Sequence, residues 1–150
     1  MHMKHRILAV CVAAVAIMAT LASAALAGSS SATSPIAALS GSGSGTMAVA
    51  MSSRNHGTFV GEITANIQGA APNTVFTIQR ALDTTPTGTC DSLGAYEVQG
   101  TLSVNGNGAG AVHLEKETPA PSGFTFDVLF QYVGSDGSLL QSNCLTLTVK

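Results

Sequence analysis

Between Thr58 and Leu82 the apolar residues fall at alternate positions, and no other property of the chain narrows its fold as much. Phe59, Ile63 and Ile67 are separated by even steps, with Glu62, Thr64, Asn66 and Gln68 between them, the period of a strand buried on one face. Gly69 to Asn73 supplies Gly, Pro and Asn for a turn, and Phe76, Ile78 and Leu82 resume the alternation beyond it. The stretch is expected to fold back as a hairpin.

The formula repeats along the chain. Met47, Val49 and Met51 predict a short first strand, with Ser52 to Gly57 as the turn into Thr58. Tyr96, Val98, Leu102 and Val104 are expected to face inward on the next strand. Asn105-Gly106-Asn107-Gly108 then reads as a hairpin turn, with Val112 and Leu114 inward on the return. Thr118 to Gly123 is a longer connection to the densest core strand, Phe124, Phe126, Val128, Phe130 and Tyr132. Gly134 to Gly137 turns the chain again, and Leu145, Leu147 and Val149 close it. Helical period is absent, so the expected fold is all-β: a single antiparallel two-sheet β-sandwich of about seven strands over residues 46–150.

Two segments precede that domain. Lys4 and Arg6, the apolar run Ile7 to Leu21 and the small residues Ala25 and Ala27 have the order of a signal peptide over residues 1–27, cleaved before Gly28. Ala22-Ser23-Ala24 offers a second cleavage site, and an uncleaved leader would be the chain's one route to a membrane. Residues 28–45 are mostly Ser, Gly and Ala, with one Thr, one Pro, one Ile and one Leu, and are expected to form a flexible segment for want of large apolar side chains. Export makes the pairing of the two remaining cysteines, Cys90 and Cys144, the expectation, because disulfides persist outside the cytosol.

Ile67-Gln68-Gly69-Ala70-Ala71-Pro72-Asn73-Thr74-Val75-Phe76-Thr77-Ile78 resembles the corner of fibronectin type III and related immunoglobulin-like modules, where a strand, a Gly-x-x-Pro turn and an aromatic-x-hydrophobic strand follow in order. Phe76 stands where those modules carry a tyrosine whose hydroxyl bonds back to the corner, a bond phenylalanine does not make. The chain also resembles small exported bacterial sandwich proteins. The resemblance implies an immunoglobulin-like sandwich and no particular chemistry.

The residues themselves exclude much. Beyond the leader, Arg54, Arg80, Lys116 and Lys150 stand against eight acidic residues, a formal charge of −4, too little positive charge for a nucleic-acid partner. His56 and His113 are the only imidazoles left, in separate elements, which gives no metal cluster and no base for a nucleophile. Glu115 and Glu117 share a face, while Asp83, Asp91 and Asp136 fall in predicted loops, as solvated charges do. Trp is absent, and the five Phe and two Tyr lie at core parity, so the aromatic platform that stacks sugars is missing.

These readings predict no enzyme and no cofactor. They point to a secreted or periplasmic sandwich with a structural, adhesion or partner-binding role toward an extracellular protein or surface component. The alternative is a small-ligand or Ca2+-binding extracellular module that uses its loops. Loops on a rigid sandwich commonly carry recognition, which makes Arg54, Asn55, His56, Asp83 and Asp91 the candidate binding residues. A large apolar pocket at one end of the folded chain would favour the alternative.

Overall fold

The structure, a computed structural model, describes residues 30–54 and 58–150. The signal-peptide positions Ala25, Ala27 and Gly28, and the loop residues Asn55 and His56, lie outside these. The described residues form nine strands: β1 (Ser31–Ser40), β2 (Ser44–Arg54), β3 (Thr58–Gln68), β4 (Val75–Asp83), β5 (Glu97–Ser103), β6 (Gly110–Pro119), β7 (Thr125–Gly134), β8 (Leu139–Ser142) and β9 (Leu145–Thr148). All pairings are antiparallel. The all-β expectation holds.

The expected division into two sheets does not. The strands run β5-β4-β7-β8-β1-β2-β3-β6 in one sheet, and β9 follows β8 along the same edge of β7. β8 is the reason: it pairs with β7 through Leu139 to Gln141 and with β1 through Leu139 to Ser142, bridging what would otherwise be separate layers. The sheet curls into a nearly closed barrel around one core, which includes Ile36, Met47, Ile67, Phe76, Phe130 and Tyr132.

Three local expectations are corrected. Residues 28–45 were expected to be flexible, yet Ser31–Ser40 is a strand held on both edges, by β2 and by β8, with Ile36 in the core. Small side chains do not prevent a strand when the backbone is bonded on both sides. The glycines of its Ser-Gly repeat serve the turn into β2, where Gly41 and Gly43 take φ of 77° and 123°. Neither predicted hairpin forms a paired ladder: β3 pairs with β2 and β6, and β4 with β5 and β7, so the Gly69 to Asn73 turn links strands that are not neighbours, while the Asn105 to Gly108 turn joins β5 and β6, the two end strands of the sheet, which touch without pairing. On β5, Ile78 lies opposite Gly100 but Gln79 lies opposite Val98, which leaves Gln99 as an extra, bulged residue. A bulge reverses the parity beyond it. Val98 is therefore 62% and Tyr96 37% exposed, although both were expected in the core.

The ends of the barrel differ. At one end the turns after β1, β3, β5 and β7 pack backbone on backbone. Ala70 N donates to Gly108 O at 3.2 Å, Asn73 N to Asn105 O at 3.2 Å and Ser135 N to Val75 O at 2.9 Å. A Cβ on Gly108 would lie 2.4 Å from Ala70 O, so this end admits no side chain there. The other end, where β2, β4, β6 and β9 finish, is covered by the 120–124 connection. That connection is tied to the C-terminal strand by Gly123 N to Val149 O (2.7 Å) and Val149 N to Phe124 O (2.9 Å).

Candidate functional site

Beneath the 120–124 connection lies a cavity of about 180 Å3. Its walls are Met51, Leu82, Phe124, Phe126 and Val149, with Pro119 and Ala120 above and Arg80 and Thr118 as its polar members. Strand parity explains the apolar lining. Leu82 continues the inward row of Phe76 and Ile78 on β4, and Phe126 the inward row of β7, with the Phe124 and Phe126 rings stacked at 5.8 Å between centroids. Deeper in the barrel is a void of about 10 Å3, room for at most one water, which shares Met51, Arg80 and Phe126 with the cavity and adds Gly61 and Lys116.

Arg80 stands at the junction of the two spaces. It occupies the inward position between Ile78 and Leu82, a place the alternation of β4 gives to an apolar side chain. Its Nη2 donates to Thr118 Oγ1 at 3.5 Å, the long limit of a hydrogen bond, and its buried Nε has no acceptor. Burial pulls the guanidinium pKa below its ordinary value, and Glu97, its register partner on β5, acts in the opposite direction from an exposed position. No carboxylate among the described residues forms an ion pair with Arg80. Sequence reasoning counted this residue among scattered charges; the available signal was a cation at core parity.

The candidate loop residues are used differently. Asp83 ends β4 instead of lying in a loop, and it is 1% exposed; Asp127, opposite it on β7, is fully buried. Both face outward, away from the core. Asp83 Oδ1 accepts from Thr85 N (2.9 Å) and Thr85 Oγ1 (2.8 Å), and its Oδ2 from Ser92 N (2.9 Å). The Thr85 bonds first, then that of Ser92, hold its pKa below the ordinary carboxylate value against the opposing effect of burial. Asp127 Oδ2 accepts from Thr87 N (2.8 Å) and Gly88 N (2.7 Å), and its Oδ1 from Thr146 Oγ1 (2.5 Å). Two carboxylates thus fasten the loop between β4 and β5 to the outside of the barrel, on the side where Ala81 and Leu129, also at outward parity, are buried. The Cys90–Cys144 disulfide adds a covalent tie, with Cα atoms 5.7 Å apart.

Both oxygens of Asp83 are therefore engaged by its own loop. Asp91 is exposed and accepts from the hydroxyls of Thr87 and Thr89. Arg54 ends β2, remote in sequence and element from both aspartates. His113 lies on the outer face, its Nδ1 3.1 Å from Thr64 Oγ1 and its Nε2 3.7 Å from Glu115 Oε1. Among the described residues no group of three or more His, Cys, Asp and Glu is placed to hold a metal ion. Among the described residues the predicted Asp83 and Asp91 lie at the start of the β4–β5 loop and within it, and Arg54 lies at the end of β2, whereas the inward-facing side chains of β4, β6 and β7 meet at the cavity.

Comparison with protein-family models, with curated proteins and with solved structures finds no match to this chain.

Proposed function

We propose that the protein is exported, stapled by its disulfide, and binds a small, largely apolar molecule in the cavity at the end of the barrel without transforming it. The observation that carries this reading is the asymmetry of the ends: one closed by backbone contacts, with an open groove on its surface beside Gln68 and Asn105, the other enclosing about 180 Å3 between aromatic and aliphatic walls. An apolar cavity of about 150 Å3 accommodates benzene, so this one suits an enclosed apolar body of roughly seven non-hydrogen atoms. Ligands of that size bind in the micromolar to millimolar range at ordinary efficiencies. Export rests on the leader pattern and the paired cysteines.

The test is a titration of the oxidised protein with benzyl alcohol, followed by amide chemical shifts. Saturable shifts are expected at Met51, Leu82 and Phe126, and Ala120→Leu, which extends a side chain from the cavity's roof, should weaken binding at least tenfold. Shifts scattered elsewhere, or an affinity indifferent to Ala120→Leu, would refute the reading.

A second reading, recognition of an extracellular protein or surface component, is supported by the exposed Val75, Val98 and Val133 on β4, β5 and β7.

A further inference from the structure

A cavity with apolar walls has no use for a guanidinium in its own packing. Arg80 nevertheless lines both the cavity and the void behind it, at a position that strand alternation reserves for a core side chain. A structural arginine so placed would be expected to meet a carboxylate or several carbonyls. Among the described residues its one hydrogen bond is the 3.5 Å contact with Thr118, and Nε is buried without an acceptor. Its register partner Glu97 is exposed at the start of β5 and forms no ion pair with it. The donors of the Nε–Nη edge are those a planar carboxylate engages with two parallel hydrogen bonds.

We infer that the ligand is a small organic monocarboxylate, its carboxylate held by Arg80 with Thr118 beside it and its apolar body lying against Phe124, Phe126 and Leu82. The inference rests on the pocket reading above and adds the ligand's charge and polarity. Three features decide the class. Among the cavity's described lining residues Arg80 is the one cation, which matches one negative charge. A phosphate dianion would call for further cations, and Lys116 lines the inner void but not the cavity. The volume limits the apolar part to about one ring or a short acyl chain. The aromatic pair, with centroids 5.8 Å apart, offers a surface for a ring.

The experiment compares three probes of one shape on the oxidised, exported protein: phenylacetate, its neutral isostere phenylacetamide and the cation phenethylamine, titrated by chemical shift at one ionic strength. Phenylacetate is expected to bind at least tenfold more tightly than phenylacetamide, with phenethylamine weakest. Arg80→Met should abolish the preference for the acid while still admitting the amide, and Arg80→Lys should restore part of it. Equal binding of acid and amide to the unaltered protein overturns the acid inference and leaves the pocket reading standing. Binding of none of the three overturns both. An acid preference that survives Arg80→Met also overturns the inference, because another group would then hold the carboxylate. The comparison within the unaltered protein decides the matter even where a variant fails to fold.

Discussion

Replacing Arg80 with methionine should stabilise the unliganded protein. The side chain presents a buried Nε with no acceptor and a contact to Thr118 at the outer limit of hydrogen bonding. Leaving one buried donor unsatisfied costs about 1–3 kcal/mol, and Arg80 is only partly buried, which favours the lower half of that range. Methionine keeps an unbranched apolar body against Met51 and Phe126 while removing the charge, the type of exchange that is often neutral or stabilising. A gain of about 1–2 kcal/mol follows. The assay is urea denaturation, chosen because guanidinium chloride would screen the charge under study. With a slope of about 2 kcal/mol/M, the middle of the usual range, the midpoint should rise by roughly 0.5–1 M at unchanged slope. Adding phenylacetate at ten times its dissociation constant should stabilise the unaltered protein by about 1.4 kcal/mol and close most of that gap, with little effect on the variant. A loss of more than about 1 kcal/mol for Arg80→Met without ligand, at constant slope, would refute the reasoning. Arg80 would then be a satisfied member of the fold instead of a group kept unpaired for a ligand.

Two further outcomes concern the loop between β4 and β5. Replacing Cys90 and Cys144 with serine opens a closure spanning 54 residues of sequence separation, which the chain-entropy relation values at about 4 kcal/mol as an upper figure. The amides of Thr87 and Gly88 should nevertheless stay protected from hydrogen exchange, because Asp127 still accepts from both; free exchange there would show that the disulfide alone holds the loop. The carboxyl of Asp83 is depressed in the folded state, so the unfolded chain binds a proton first as pH falls, and stability should drop below about pH 4, the ordinary range for aspartate. Asp83→Asn should flatten that part of the stability profile measured by denaturation between pH 5 and 2, and an unchanged slope would count against the assignment.

What the sequence made legible follows from how local each feature is. Phe59 to Ile67 alternates without interruption, and β3 buries the inward residues it predicts. The alternation fails where one residue intrudes: Gln99, bulged between Val98 and Gly100, turns Val98 and Tyr96 outward, and a bulge leaves no mark in a pattern of hydrophobicity. Turn chemistry was legible as turns and misleading as topology. Asn105 does shape its turn, its Oδ1 accepting from Asn107 N at 2.9 Å and Ala109 N at 3.1 Å, but local bonds do not choose which strand lies alongside. Composition misled at Ser31–Ser40, because β1 is held chiefly by ladders to β2 and β8 and contributes few large side chains of its own. The cavity was illegible for a related reason: Met51, Arg80 and Phe126 are brought together from three strands that no local pattern relates.

The placement of the β4–β5 loop bears on whether that cavity can work. The loop leaves β4 at the cavity's end of the barrel, and a chain of its length could fold across the mouth. It is drawn away instead by groups at outward parity. Asp83 and Asp127 take up the amides of Thr85, Thr87, Gly88 and Ser92, and Cys90 is bonded to Cys144 just before β9. Two buried carboxylates are a costly way to fasten a loop unless every oxygen is occupied, and here each one accepts at least one bond. Asp83, which sequence reasoning singled out as a binding position, thus helps commit its loop to the outer face. Among the described residues this leaves the 120–124 connection, pinned to Val149 by two backbone bonds, as the cover that a ligand must pass.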